Sequence, residues 1–409
     1  MYSSANTLPT PVSSPHRQFP NLNGVRFIAC LAVFVHHVEQ AKYSLRLPNI
    51  YEFYLVKNAG KLGVGLFFVL SGYLITYLLL SEKGRSGTVQ VGNFYMRRVL
   101  RIWPLYVLIV LLANFVFPLI PLFWEPHQQA TYFDTYFYAR LGLFACVLPN
   151  LAFVLFDTPY LCAQTWSIGV EEQFYLLWPW LIRSKTRMGV LKTLGLFVCM
   201  LAVVLGGASL LVANQITTPL KTVPEFLAFF ASQFRILMMV VGGVGAYLVY
   251  HREATILHLL YRPAVQWLVY GTLLLLLLGD VRIPGFNLEV YSLFFCYFIV
   301  NVATNPKTVI TLKNPVVDYL GKISYGIYIY HPALVVAVIN LLRSHTGVQL
   351  TGVWLHVLIY SGAMLLTIGV SALSFTYLEQ KILSYKKHFE PTPASPPAAE
   401  VQLAARPLH

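Results

Sequence analysis

Arg26 and His37 are the first residues in the chain whose types and spacing suggest chemistry. They stand 11 positions apart, which on a helix is about 1100°, or roughly 20° beyond three full turns, so both side chains share a face. His36 points about 80° to the other side and is the weaker candidate. A neutral imidazole titrates near physiological pH and can take the proton of a hydroxyl, and a carboxylate such as Glu171 or Glu172 can orient it. Arg97, Arg98 and Arg101 suggest a second chemistry. Guanidinium groups hold phosphate bidentately, and Arg97 and Arg101, four apart, fall on one helix face. Arg235 and His331 are further ionisable residues within apolar stretches.

The elements that must position these residues cross a membrane. Of the 409 residues, 57% are hydrophobic and 11% charged. Apolar runs of roughly 20 residues, enough to cross a bilayer, recur from Asn21 to about Tyr385. A water-soluble fold is excluded on composition, and no hydrophilic stretch is long enough for a separate globular domain. The expected organisation is a disordered tail over 1–18, a transmembrane domain over 19–385 and a disordered Pro/Ala-rich tail over 386–409. The first apolar segment carries polar groups and lacks a small-residue cleavage site, so it reads as a spanning helix rather than a signal peptide.

Spans are expected near 22–42, 62–81, 99–120, 166–183, 192–213, 224–250, 263–280, 286–303, 318–342 and 351–379. The fold class is therefore all-α, a polytopic transmembrane helical bundle of about ten spanning helices. With both termini in the cytoplasm, 20 of the 29 Lys and Arg residues fall inside, 8 outside and Arg235 within a span, in keeping with the positive-inside rule. The apolar stretch 137–157 contains Pro149 and Asn150. Counting it as a span would place Arg183, Lys185, Arg187 and Lys192 outside, so it is expected to be an outer-face or re-entrant element.

A rise of about 1.5 Å per residue puts His37 about 16 Å beyond Arg26, Glu171 about 18 Å from Arg183 and His331 about 14 Å from Lys322. The depths agree, and Arg235 is also near the middle of its span. A central polar chamber lined by His37, Glu171, Glu172, Arg235 and His331 is the expectation, because ionisable groups at that depth cost several kcal/mol unless they face a cavity or partner. Each residue also has a plainer reading. An intramembrane histidine can simply hydrogen-bond a neighbouring helix, and Arg26 alone reads first as an interface anchor. Glu171 or Glu172 can pair with Arg235, and the Arg97 cluster alone reads first as a topology signal.

Other classes lack their signatures. Cys30, Cys146, Cys162, Cys199 and Cys296 are scattered, with no C-x-x-C and no histidine at ligand spacing, so no metal is expected. There is no G-x-x-x-x-G-K-[ST], H-E-x-x-H or G-x-S-x-G, and Gly63-Val64-Gly65 alone is not a dinucleotide loop. The net charge of +13 follows the membrane loops, and no nucleic-acid partner is expected. A multi-pass transporter or flippase would also place spans around a polar midplane, but it would commonly show an internal repeat, and none is visible.

Five separated blocks carry a resemblance. They are Leu22-Asn23-Gly24-Val25-Arg26 followed by His37; Gly65-Leu66-Phe67-Phe68-Val69-Leu70-Ser71-Gly72; Arg97-Arg98-Val99-Leu100-Arg101-Ile102-Trp103-Pro104-Leu105-Tyr106; Thr165-Trp166-Ser167-Ile168-Gly169-Val170-Glu171-Glu172-Gln173-Phe174-Tyr175; and Ile323-Ser324-Tyr325-Gly326-Ile327-Tyr328-Ile329-Tyr330-His331-Pro332. In this order the chain, from about Asn21 to Glu379, resembles the membrane-bound acyltransferase family three, which includes bacterial O-acetyltransferases of surface polysaccharides. The resemblance implies an acyl-CoA donor, with acetyl-CoA the first expectation, bound from the cytosol. It implies transfer to a hydroxyl of a carbohydrate or glycolipid acceptor across a bacterial plasma membrane, with membrane lipid as the surrounding partner. An acceptor that is a small lipid or antibiotic fits the same topology.

By the same resemblance, Arg26 and His37 match the family's Arg-x10-His pair and Glu171 the acid after Trp-Ser; the catalytic expectation is then His37 as general base or acyl relay and Glu171 orienting or charging the central site. Arg26, Arg97, Arg98 and Arg101 contact the donor, and Glu172, Arg235, Ser71, Tyr325 and His331 are further candidates for the central site. Asn23 stands where many members carry Asp, which puts a carboxylate role there in doubt.

Overall fold

The computed structural model describes residue 19 and residues 21–124, 135–156, 159–184, 235–281, 287–345 and 352–390, with four isolated positions between 185 and 234. Among these residues the chain is helical, with no strand. A buried hydrocarbon environment offers the backbone no water, so helices that satisfy their own amides are the expected outcome. The first half holds α1 (Leu22–Ser44), α2 (Tyr54–Ser86), α3 (Val91–Leu111) and α6 (Trp166–Ser184). Between α3 and α6 lie two short helices, α4 (Phe137–Ala145) and α5 (Pro149–Leu155). The second half holds α7 (Ile236–Tyr250), α8 (Ala254–Leu260), α9 (Pro263–Leu278), α10 (Asn287–Thr304), α11 (Pro315–Lys322), α12 (Ser324–His345), α13 (Val353–Ser374) and α14 (Gln380–Ser384).

Six stretches among the described residues are long and apolar enough to cross a membrane, or seven if α8 and α9, bent by 63°, form one broken span. That is fewer than the ten expected, for identifiable reasons. The expected span 192–213 lies, but for two isolated positions, outside the described residues. Of 224–250 only 235–250 are described, with 15 of those residues in α7, and the 19 residues of α6 carry Glu171, Glu172 and Arg183. The stretch 137–157 is α4 and α5, of 9 and 7 residues, each too short to cross. Its backbone and side chains lean on protein instead: Tyr106 donates to the Phe144 carbonyl at 2.7 Å, and Asn150 exchanges amide hydrogen bonds with Gln173 on α6.

The N-terminal end of α1, the C-terminal end of α2, the N-terminal end of α3 and the C-terminal end of α6 lie at one end of the bundle. Lys83 on α2 donates to the Ile182 carbonyl on α6 at 2.6 Å, Glu82 on α2 pairs with Arg97 on α3, and Phe19 packs its ring on Tyr77. Helix α7 runs alongside α2 at backbone contact. A Cβ at Gly72 would overlap the Met239 carbonyl, and one at Gly242 the Val69 carbonyl, so small residues permit this packing without a hydrophobic driving force between helices. Helix α2 ends at Gly87, whose φ of 74° is the left-handed cap glycine supplies cheaply.

The main buried cluster joins α1, α2, α3, α6, α7, α10 and α12. A second cluster packs Phe34, Val38 and Ala41 of α1 against Val335 and Ile339 of α12 and Ile359 of α13. Helix α9 buries only Gln266 and exposes Trp267, Leu268, Leu275 and Leu278, the pattern of a lipid-facing element.

Candidate active site

The apolar core is interrupted at the Arg26 end by a cavity of about 130 Å³. Arg26 from α1, Ser71 from α2, Arg98 and Arg101 from α3, Glu171 and Tyr175 from α6, and Tyr325 and Tyr328 from α12 line it. Each of the five sequence blocks therefore sends at least one side chain to the same space. Arg98 and Arg101 are three apart and share a helix face. Three guanidinium groups face one lining carboxylate, an arrangement with an excess of positive charge.

Glu171 is fixed rather than neutralised. Ser71 donates to Glu171 Oε1 at 2.8 Å, and Tyr175 hydrogen-bonds the same carboxylate. Arg98 stacks over the Phe94 ring with 5.6 Å to its centroid, and its Nε is buried without a hydrogen-bond partner among the described residues. Arg26 is held from behind: its Nη1 donates to Asn23 Oδ1 at 2.5 Å, and Asn23 Nδ2 donates to Asp318 Oδ1 at 2.8 Å. Asp318 is paired in turn with Lys322 at 2.6 Å. This places a carboxylate one residue removed from Arg26, through Asn23. The close approach depends on Gly321, where a Cβ would overlap the Asn23 backbone.

Not all the predicted residues gather here. Arg97, one position from Arg98, turns away: it pairs with Glu82 at 2.7 Å and donates to the Phe389 carbonyl at 2.5 Å. His37 and His331 form their own contact, with His331 Nε2 2.9 Å from His37 Nδ1. They lie behind the cavity wall, where Tyr328, itself lining the cavity, has its ring centroid 6.0 Å from that of His331. His36 faces elsewhere, its Nδ1 3.0 Å from the Val56 carbonyl. Arg235 approaches Glu289 at 4.0 Å. Glu172 is hydrogen-bonded by Trp103 and neighbours Glu171 and Arg98. The expected single chamber is thus resolved into a cationic cavity with Glu171, a histidine pair beside it, and Arg235 in a separate ion pair. Among the described residues no group of three His, Cys, Asp or Glu is placed to hold a metal ion.

The sequence profile of the family described as Acyltransferase domain matches residues 19–375. The chain belongs to this acyltransferase family. The matched region contains all five blocks and therefore every cavity-lining residue named above. Within the family, the chain is 29% identical over 191 residues to peptidoglycan O-acetyltransferase OatA of Listeria monocytogenes, covering 43% of this chain and 27% of that protein. It is 24% identical over 395 residues to a Staphylococcus aureus protein provisionally named an O-acetyltransferase, covering 89% of this chain and 57% of that one. A protein of Bacillus subtilis, provisionally named peptidoglycan O-acetyltransferase YrhL, is 28% identical over 187 residues, covering 44% and 27%. The match thus covers little more than half the length of the S. aureus relative and about a quarter of the length of each of the other two. No solved structure matches the chain.

Three features of the site escaped sequence reasoning. The support of Arg26 by Asp318 runs through Asn23, which lies 295 positions from Asp318, and no local spacing could announce it. The pairing of Arg97 with Glu82 crosses a helical hairpin. Tyr175, Ser167 and Tyr328 were inside the quoted blocks, but nothing in the order of residues marks them as facing a cavity.

Proposed function

We propose that the protein is an integral membrane O-acyltransferase that binds the phosphates of acyl-CoA, with acetyl-CoA the expected donor, at Arg26, Arg98 and Arg101. The acyl group passes to a hydroxyl of a carbohydrate or glycolipid acceptor at the opposite face. The observation that carries this reading is the convergence of all five sequence blocks on one cavity with three guanidinium groups, one of them with an unpartnered buried nitrogen. Charge-assisted hydrogen bonds of this kind contribute about 1.5–3 kcal/mol each. The cavity is smaller than the roughly 300–1,000 Å³ that encloses a whole drug-sized ligand, so only part of the donor enters it. Relatives named as O-acetyltransferases support the reaction class, and the positive-inside pattern supports a cytosolic position for the Arg26 end.

In this mechanism His37 accepts the proton of the acceptor hydroxyl as its oxygen attacks the thioester carbonyl. The C–S bond breaks, and the proton is returned to the leaving thiolate, giving ester and CoA. Glu171, held by Ser71 and Tyr175, supplies a fixed negative charge beside the arginines. The test is acyl transfer from labelled acetyl-CoA by the purified protein in lipid bilayers with peptidoglycan or lipid-linked sugar acceptors. The wild type is expected to consume acetyl-CoA and His37→Ala to lose at least about a hundredfold of that rate. Transport of an intact solute with no thioester cleavage, or near-normal transfer by His37→Ala, would overturn the assignment.

A further inference from the structure

The His37–His331 contact determines which nitrogen of His37 carries its proton. His331 Nδ1 lies 2.8 Å from the Tyr328 carbonyl and 3.1 Å from the Ile327 carbonyl. Both are acceptors, so Nδ1 of neutral His331 bears the hydrogen and its Nε2 presents a lone pair. That lone pair faces His37 Nδ1 at 2.9 Å, and the Val33 carbonyl faces the same nitrogen at 3.1 Å. Two acceptors on one atom require His37 Nδ1 to be the donor. Its Nε2, with no hydrogen-bond partner among the described residues, is then left as the basic nitrogen.

The residue after His331 explains why this chain of bonds can form. Pro332 lies inside α12 and has no N–H to offer the carbonyl four residues earlier, which is that of Tyr328. The same carbonyl receives His331 Nδ1. The His-Pro pair thus frees an acceptor within the helix and uses it to orient the imidazole one position before the proline. His331 is 1% exposed, so no bulk water competes for either of its nitrogens.

We propose that His331 is a positioning residue that holds His37 as the Nδ1–H tautomer, leaving Nε2 as the atom that takes the acceptor's proton. This rests on the reading of His37 as general base. When His37 Nε2 accepts that proton, both His37 nitrogens carry hydrogen, and the Nδ1–H bond to His331 Nε2 delocalises the positive charge. Release of the Nε2 proton to the thiolate restores the starting tautomer. A wrong tautomer in a comparable orienting arrangement can cost up to about 10⁴ in turnover.

The test pairs a spectroscopic measurement with kinetics. ¹⁵N-histidine NMR of the purified protein in bilayers at neutral pH is expected to show His37 protonated at Nδ1 and unprotonated at Nε2. His331→Leu should mix the two tautomers and lower kcat at least about tenfold with the donor KM unchanged. His331→Gln, whose amide can donate to the Tyr328 carbonyl and accept from His37, should recover most of the lost turnover. A wild-type His37 carrying its proton on Nε2 would overturn the proposal even if His331→Leu fails to fold. So would a folded His331→Leu enzyme with kcat within twofold of wild type, or equal losses in the Leu and Gln variants. Retained activity in His37→Ala would instead defeat the general-base reading, leaving the tautomer result to stand on its own.

Discussion

The two ends of α1 place charge inside the protein in opposite ways. At one end, Arg26 joins Arg98 and Arg101 around a cavity with Glu171 as the lining carboxylate. At the other, Glu39 and Lys42 close on each other. Lys42 Nζ lies 2.6 Å from Glu39 Oε1 and 2.6 Å from His356 Nδ1, Tyr360 donates to Glu39 Oε1 at 2.8 Å, and the Ile50 amide donates to Glu39 Oε2 at 2.7 Å. The side chains of Lys42 and Glu39 are 0% and 1% exposed. That cluster ties α1 to α13 and to the loop after α1, and every charge in it has a partner supplied by the protein. The difference teaches that a buried charge on a spanning helix does not by itself mark a site. What marks it is a group of charges for which the chain provides space and fewer counter-ions than charges. Arg97 and Arg98, adjacent in sequence, repeat the contrast on a smaller scale.

Breaking the closed end should have the largest effect, and on stability. Glu39→Ala leaves Lys42 buried without its carboxylate, which typically costs about 3–5 kcal/mol. A marked fall in the thermal unfolding midpoint of detergent-solubilised protein is expected, with the double replacement Glu39→Leu and Lys42→Met recovering much of it. The donor KM of the fraction that folds should be unchanged. A Glu39→Ala protein as stable as wild type would place this network in the same open class as the cavity and erase the comparison.

The support behind Arg26 should show a smaller effect of the other kind. Asn23→Ala removes the acceptor of one charge-assisted hydrogen bond and uncouples Arg26 from Asp318. A rise in donor KM of about threefold to tenfold, roughly 1 kcal/mol, is expected with little change in unfolding midpoint. If Asn23→Ala lowers the midpoint and leaves KM alone, the relay is structural and the two ends of α1 are more alike than they look.

Much of this contrast was legible in residue order, and the rest was not, for physical reasons. The 11-residue spacing of Arg26 and His37 follows from helical period alone, and it set His36 on another side: His36 bonds the Val56 carbonyl while His37 meets His331. The apolar runs announced helices because hydrocarbon leaves the backbone few alternatives. The break of 137–157 into α4 and α5 was signalled by Pro149. Arg97 could not be separated from Arg98 and Arg101 by spacing, because its direction is decided by Glu82 on another helix. The depth argument that gathered His37, Glu171, Arg235 and His331 into one chamber used only the coordinate along the membrane normal. Lateral position depends on which helices pack together, and it separates Arg235 with Glu289 from the histidines and from Glu171. Glu39 and Lys42, three apart on one helix, were not singled out from the sequence, because their burial against His356 and Tyr360 arises from α13, more than 300 residues later.

The central claim is that the open, cation-rich end of α1 is where the donor's phosphates bind. Equilibrium binding of CoA to the purified protein in lipid nanodiscs tests it most directly, measured at low and high salt for the wild type, for Arg98→Ala/Arg101→Ala, and for Lys57→Ala, which removes only an exposed pair with Glu52. The account predicts that salt weakens wild-type binding and that the double variant raises Kd at least about tenfold, near 1.4 kcal/mol, with a flatter salt dependence, while Lys57→Ala binds like wild type. A double variant that folds and binds CoA with wild-type affinity and salt dependence would contradict it.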